Sequence, residues 1–132
     1  MTLYYSNATR HSQNEGLITF AATGCKFNLY NGVQPANANT AVTSQVLLAS
    51  LTIAGVFGTD VNGTLTLGAV TSAVASNAGT ASWFRIFKSD NTTVVLDGSV
   101  GISSADLILN SVTIAALQTV AITAGTIIRN NQ

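Results

Sequence analysis

The stretch "GTASWFRIFKSDNTTVVLDGSVG", residues 79–101, carries the clearest strand and turn pattern in this chain. It divides at residues 89–91, Ser-Asp-Asn, into two runs that are rich in aromatic and β-branched residues, 80–88 and 92–100. Residues of these types favour strands, and Asp and Asn favour the turn that joins two antiparallel strands. The stretch therefore predicts a β-hairpin.

Within the first strand of this hairpin, side chains alternate between two faces, because successive residues of a strand point to opposite sides. Phe84 and Ile86 share one face. Val94 and Leu96, across the turn, supply matching apolar partners on the second strand. We expect this face to point into the core.

The opposite face carries Trp83, Arg85 and Phe87. Three interpretations stay open: a second core face, a contact surface between subunits, or a platform on which a sugar or base stacks. Trp, Phe and Arg are enriched at the centres of protein interfaces. We therefore treat Trp83, Arg85 and Phe87 as candidate interface residues used for packing rather than for catalysis.

Short strand-like runs separated by turn residues continue through most of the chain. Besides the hairpin, the predicted strands are residues 17–21, 25–30, 45–53, 65–74, 105–114 and 119–128. From residue 104 a helix is an alternative, but the near alternation of apolar residues favours strand. Many short strands with turns of the Asn-Gly and Asp-Gly type indicate an all-β fold. We predict one domain over residues 17–132, an antiparallel β-sandwich that is jelly-roll-like.

Residues 1–16 are dense in Ser, Asn, Gln and Thr and show no sustained apolar period. We predict an extended polar N-terminal arm. Such a segment becomes ordered when it meets a partner, and tyrosine supplies a large contact area with few rotatable bonds. Tyr4, Tyr5 and Arg10 are therefore candidate interface residues as well.

Charge is unusually sparse: charged residues make up 8% of the chain and the formal net charge is zero. An ordinary soluble domain has about 25% charged residues, and solubility depends largely on them. We therefore expect a homo-oligomer. No net field attracts nucleic acid or an anionic membrane surface, and neither is an expected partner. Residues 46–57, the longest apolar stretch, are too short for a membrane helix, and the N-terminus does not resemble a signal peptide.

Residues that carry chemistry are few and scattered. Cys25 is the single cysteine and His11 the single histidine, and we expect Cys25 to be a small buried apolar side chain. The five acidic residues show no spacing that pairs two carboxylates, and Asp60 begins a turn-like Asp-Val-Asn-Gly sequence rather than a calcium loop. We expect no catalytic residue, no cofactor and no metal site.

Several motifs between residues 26 and 123 form a recognisable set: Tyr30-Asn31-Gly32 before Gln34-Pro35, the strand Ala-Ser-Trp-Phe-Arg at 81–85, Asp97-Gly98, and Ala-Asp-Leu-Ile-Leu at 105–109. As a set they resemble a family of small bacteriophage virion structural proteins. The resemblance implies an all-β virion component that decorates or cements a capsid, without catalytic residues. The chain departs from the family before Lys26, where relatives carry a charged helical leader.

The expected function is that of a non-enzymatic virion structural protein on the capsid surface, a decoration or cement protein that stabilises the shell. Its expected partners are the major capsid protein and sister subunits in a homotrimer. The alternative is a carbohydrate-binding or adhesion module of a phage head or tail fibre. An exposed Trp83 beside Arg85 would favour that alternative.

Overall fold

A computed structural model describes residues 3–128, in which the chain forms one helix and thirteen strands. The helix α1 spans Asn7–Ala21. The first seven strands are β1 Lys26–Tyr30, β2 Leu47–Ile53, β3 Gly58–Val61, β4 Thr64–Leu67, β5 Val70–Thr71, β6 Ala73–Val74 and β7 Gly79–Thr80. The remaining six are β8 Trp83–Phe87, β9 Val94–Gly101, β10 Leu107–Leu109, β11 Thr113–Ile114, β12 Thr119–Val120 and β13 Ile122–Ile128.

Nine of these strands form one sheet in the order β3-β4-β13-β10-β9-β8-β1-β2-β5, and two small ribbons pair β7 with β11 and β6 with β12. All neighbours in the sheet are antiparallel except β9 and β10. β4 and β5 lie near opposite ends of this order, yet only Gly68 and Ala69 separate them in the chain. Two residues span no more than about 10 Å between the strand ends, so the sheet curls back on itself. Of the predicted all-β antiparallel fold, the mainly β content and the mainly antiparallel pairing are confirmed, whereas helix α1 was not predicted.

The predicted hairpin is present as β8 and β9, which pair antiparallel with Ile86 opposite Leu96. Asp90 closes the turn, because its carboxylate accepts hydrogen bonds from the backbone N–H groups of Thr92 and Thr93 at 2.8 Å each. Asn91 adopts a positive φ of 56°, which Asn tolerates better than most residues. Local turn chemistry therefore builds the hairpin as expected.

A register shift between Ile86 and Phe87 changes one detail of the hairpin. Phe87 pairs with Val94, and Val95 is the additional residue in β9. As a result Val95 and Leu96 pack against the core, whereas Val94 lies opposite Phe87. The prediction of Val94 as a core partner is wrong for this reason, and the prediction of Leu96 is confirmed.

Asp97-Gly98 has the residue types of a turn, yet both residues lie inside β9. A side chain on Gly98 would place its Cβ 2.6 Å from the ring of Phe84. Glycine is needed here for the close approach of an aromatic ring to the backbone, not for a turn.

The core contains three aromatic rings from different parts of the chain. Phe27 stacks against Phe57 and against Phe84, with 6.4 Å between ring centroids in each pair. Phe84 and Ile86 are buried in this core as predicted. Cys25 is buried as well; its Sγ donates to a backbone carbonyl, and burial raises the pKa of its thiol.

Helix α1 stands in place of the predicted extended arm at residues 7–16 and of the predicted strand at 17–21. Residues 3–6 form no regular structure, and residues 1–2 of the predicted arm lie outside the described residues. Ser6 caps the helix, because its Oγ accepts a hydrogen bond from the backbone N–H of Thr9 at 3.1 Å. Leu17 and Ile18 pack against the core from the last turns. The helix therefore continues across the predicted domain boundary at residues 16 and 17.

Between residue 104 and residue 128 the regular elements are the strands β10 to β13, so the prediction of strand rather than helix is confirmed. The long predicted strands are broken into shorter ones, however. The stretch 65–74 is broken at residues 68–69 and again at residue 72. At Gly68 a Cβ would lie 2.5 Å from the carbonyl oxygen of Val56. β3, Gly58–Val61, was not predicted, and it pairs with β4 through the turn at Asn62 and Gly63.

Candidate binding surfaces

Trp83 is almost completely buried within its own chain, with 1% of its surface exposed. Its indole ring stacks on Tyr30 with 4.6 Å between centroids and an interplanar angle of 16°. The indole Nε1 donates to the carbonyl of Asn31 at 3.1 Å. The ring thus has both an aromatic partner and a hydrogen-bond acceptor inside the subunit.

Arg85 lies beside Trp83, is only 2% exposed and forms a bidentate ion pair with Asp97. Its Nε and Nη2 donate to the two carboxylate oxygens of Asp97 at 2.7 Å each. Its Nη1 donates to the carbonyl of Thr40 at 2.8 Å, and the guanidinium lies 5.6 Å from the centroid of the Trp83 ring. The hydrogen bonds with Asp97 raise the pKa of Arg85 further above its already high value.

The segment that covers Trp83 and Arg85 is the connection between β1 and β2, residues 31–46, which we call the strap. No residue of the strap is itself buried. Its base is closed by the backbone N–H of Asn31, which donates to the carbonyl of Val46 at 3.2 Å. Its tip is a turn in which the backbone N–H of Thr40 donates to the carbonyl of Asn37. Arg85 donates a hydrogen bond to the carbonyl of Thr40 in that turn. A sixteen-residue connection without regular structure is long for a compact domain and is often functional.

Of the three interpretations of this face, the burial of Trp83 and Arg85 within the chain favours a second core face. Both side chains are covered by residues of the same chain, so a partner reaches them only if the strap moves away. Phe87, the third residue of that face, is half-buried and lies at the far end of β8, where it pairs with Lys26. Of these three candidates, only Phe87 retains substantial exposure.

The N-terminal candidates lie elsewhere on the molecule. Tyr4 is 75% exposed, Tyr5 is half-buried, and both precede α1. Arg10 is part of α1; it donates to the side-chain carbonyl of Asn7 and packs over Gly63 in the turn between β3 and β4. The structure therefore does not gather Arg10 with Trp83 into one site.

A polar cluster that the sequence did not predict anchors α1 to the sheet. The Nδ1 atom of His11 lies 2.6 Å from Oδ1 of Asp60. The side-chain amide of Asn14, which is fully buried, donates to Oδ2 of Asp60, and the backbone N–H of Gly63 donates to Oδ1 at 3.0 Å. Burial alone would raise the pKa of Asp60, but the hydrogen bonds from Asn14, His11 and Gly63 outweigh it and lower that pKa.

The same cluster borders an open cleft of about 540 Å³ between α1 and β3. The carboxylate of Asp60 fixes the orientation of the imidazole of His11, and about half of the His11 side chain is exposed. The remaining lining side chains are amides and apolar groups: Asn7, Ala8, Val61 and Asn62. The hydrogen bonds of Asp60 with His11 and Asn14 tie α1 to the β3–β4 hairpin, and the one from Gly63 closes the turn of that hairpin. We therefore interpret this cluster as a structural anchor.

A large part of the surface carries no charge. The strap, residues 72–82 and residues 110–121 contain no Asp, Glu, Lys, Arg or His. Exposed apolar side chains project from these three segments: Val33 is 82% exposed, Leu117 80%, Val74 57% and Val46 42%. We call these three segments together the charge-free surface.

Hydrogen bonds show that the three segments are contiguous. The side-chain amide of Asn77 donates to the carbonyl of Leu47, immediately after the strap, at 2.9 Å. The backbone N–H of Leu117 donates to the carbonyl of Ala75 at 3.0 Å, and that of Ala81 donates to the carbonyl of Val112 at 2.8 Å. The charge-free surface is therefore one continuous region rather than three separate loops.

Three comparisons, with models of protein families, with curated proteins and with solved structures, found no match to this chain. Among residues 3–128, no group of three or more His, Cys, Asp or Glu side chains is placed to hold a metal ion. In the same part of the chain, the helix is too short and too polar to cross a bilayer. The functional interpretation consequently rests on the surface itself.

Proposed function

We propose that this chain is a non-enzymatic structural protein of a bacteriophage virion that binds the outer capsid surface and stabilises the shell. The observation that supports this proposal best is the charge-free surface, which suits contact with neighbouring subunits on a particle and has Val33, Val46, Val74 and Leu117 exposed on it. Apolar side chains exposed on a region without charge favour an interaction site. The motifs that resemble those of small virion structural proteins favour the same role.

Mass action explains how such a protein stabilises a shell. Every contact that exists only in the assembled particle lowers the free energy of the particle relative to its free subunits. Many copies bound side by side add through avidity, so that a weak contact per copy is sufficient. A small subunit that catalyses no reaction and binds to copies of itself fits this task.

The finer features of the proposal are a jelly-roll-like β-sandwich, a trimeric assembly and attachment to the major capsid protein. The curled, mainly antiparallel sheet is compatible with a sandwich. Tyr4 and Leu3 are exposed just before α1, on residues separate from the charge-free surface. Assigning them to the capsid leaves the charge-free surface for sister subunits.

The alternative, a carbohydrate-binding module, has less support. That alternative requires an exposed Trp83 beside Arg85 on which a sugar can stack, and in the structure the strap covers both side chains. Sugar stacking on Trp83 would require the strap to open and would uncover the ion pair of Arg85 and Asp97.

Reconstitution tests the proposal. Particles of a phage that encodes this chain, prepared without it, are mixed with the purified protein and sedimented, and the melting temperature of the shell is measured. We expect saturable binding and a higher melting temperature, and weaker binding of a Tyr4→Ala variant than of a Phe20→Ala control, which is also an exposed aromatic residue. Absence of binding to these particles would contradict a capsid role.

A further inference from the structure

We infer that residues 3–15 are a hinged arm, which opens as one unit about Gly16 while the rest of α1, residues 17–21, stays packed on the core. The hinged arm contains Tyr4, Tyr5 and the first nine residues of the helix. Opening takes place within the single subunit in solution, so the inference goes beyond the proposed function and does not rest on it.

The two halves of α1 are held to the rest of the chain in different ways. Leu17 and Ile18 pack against the core, and Ala21 is fully buried in it. Between residues 7 and 15 the one buried residue is Asn14, a polar residue whose side-chain amide donates to a carboxylate. Burial of apolar surface is the main favourable term in folding. The first half of the helix therefore contributes little to the core and can leave without opening it.

Gly16 lies between these two halves and has no packing reason to be glycine. A Cβ added there would have no atom from another part of the chain within 4 Å. Inside a helix glycine is less favourable than alanine, because it loses more conformational freedom on folding. Gly16 therefore weakens α1 at the border between its polar and its apolar half, where a break disturbs the core least.

Two polar groups between the hinged arm and the sheet lower the cost of opening. The Nε atom of Arg10 is buried, and none of the described residues accepts a hydrogen bond from it. A buried donor without an acceptor is unfavourable, and contact with water removes that cost. The side chain of Asp60 is fully buried beneath the hinged arm, and it returns to water when its partners on α1 leave. Opening therefore leaves no charge buried without a partner.

The open form gives the two tyrosines of the hinged arm a long reach. The residues of the hinged arm span up to about 45 Å when they are fully extended. Tyrosine supplies a large contact area with few rotatable bonds, and a mobile segment becomes ordered when it meets a partner. A partner that binds the open form shifts the equilibrium toward it. The hinge thus converts a docked helix into a segment that can bind away from the sheet.

Hydrogen exchange of the full chain at pH 7, resolved to single amides by NMR, tests the inference. Each amide in an α-helix bonds to the carbonyl four positions earlier. Amides 11–15 therefore report on the hinged arm, and amides 21–22 report on the docked half. We expect one common opening free energy for residues 11–15, with protection at least about a hundredfold lower than at residues 21–22.

Substitutions on either side of the hinge separate it from the helix as a whole. Gly16→Ala should raise the protection of residues 11–15 about fivefold and leave residues 21–22 unchanged. Thr19→Ala is the matched control, because it also places alanine at an exposed position of α1 but lies in the docked half, and it should leave residues 11–15 unchanged. Asp60→Asn weakens the anchor and should lower the protection of residues 11–15 about tenfold.

Equal protection at residues 11–15 and 21–22 would show that α1 opens only as a whole and would overturn the inference. A steady rise in protection from residue 11 to residue 15 that Gly16→Ala does not affect would indicate fraying of the helix end, and would overturn it as well. The capsid role is judged separately, by the binding of the protein to particles. A protein that binds particles with a rigid α1 would therefore lose this inference and keep the proposed function.

Discussion

Arg85 and Asp97 lie directly opposite each other on β8 and β9 and form a buried ion pair with both hydrogen bonds at 2.7 Å. Each side chain is no more than 4% exposed. The pair does more than join two strands, because the remaining guanidinium nitrogen reaches the carbonyl of Thr40 in the strap. One arginine therefore connects the most regular part of the fold to its longest irregular segment.

Removing one partner of this pair should be costly. Arg85→Met leaves the Asp97 carboxylate buried without a counter-charge, and we expect the free energy of unfolding to fall by about 3–5 kcal/mol. The double variant Arg85→Met/Asp97→Leu should recover much of this loss, because apolar replacement of both partners removes the unpaired charge. Urea denaturation at pH 7 measures both. A loss below about 1 kcal/mol in the single variant would show that the pair is solvated rather than buried.

Trp83 reports on the strap, since it is the only tryptophan in the chain. We expect its fluorescence to be resistant to acrylamide quenching in the native protein, because the strap and Tyr30 enclose the ring. Arg85→Lys keeps the positive charge but not the forked contact, and should increase quenching if it frees the strap tip. Quenching of the native protein as efficient as that of free tryptophan would mean that the strap is open in solution.

Phe84 and Phe87 on the same strand provide a matched pair of truncations. Phe84→Ala should lower the free energy of unfolding by about 3–5 kcal/mol, because Phe84 packs against Phe27 in the core. Phe87→Ala should cost clearly less, since Phe87 is only half-buried. Thermal and urea unfolding of both variants test this order. Equal losses would contradict the assignment of the two faces of β8.

The anchor of α1 should be sensitive to acid. The pKa of Asp60 is lowered in the folded state, so its contribution to stability is complete above its unfolded pKa of about 3.9 and is lost as the pH falls through the lower folded pKa. We expect the stability of the wild type to decrease below about pH 4 and that of Asp60→Asn to decrease less over the same interval. Val61→Thr, which changes an exposed neighbour and keeps the carboxylate, is the control.

Urea titrations at several pH values between about 2 and 6 give these slopes. If Asp60→Asn and the wild type showed the same dependence on pH, the hydrogen bonds of Asp60 would not stabilise the folded state. Helicity measured in the same samples tells whether α1 is the element that is lost.

The hairpin could be predicted from the sequence because its signals are local. Asp90 and Asn91 suit the turn themselves, and the flanking runs alternate with the period of a strand. The burial of Phe84 and Ile86 follows from the same alternation. The register shift that moves Val94 away from the core could not be predicted, because nothing in the local residue types marks the extra residue Val95.

Helix α1 was missed because its stability depends on distant residues. Its surface lacks a broad apolar stripe, and its buried Asn14 is satisfied by Asp60, 46 positions away in the chain. Ser6 was a usable signal as a helix cap, but Ser is common in this polar segment. The burial of Trp83 and Arg85 was missed for a similar reason. The strap has no apolar pattern. It is held by hydrogen bonds that its backbone carbonyls accept from the side chains of Trp83 and Arg85.

The copy number of this protein in purified virions tests the central claim most directly. Particles of a phage that encodes the chain are purified through a density gradient, and the chain and the major capsid protein are quantified by mass spectrometry against labelled standards. A capsid-binding structural protein should be present at a copy number close to that of the major capsid protein. Its absence from the particles, or its presence in only a few copies, would contradict a shell-stabilising role.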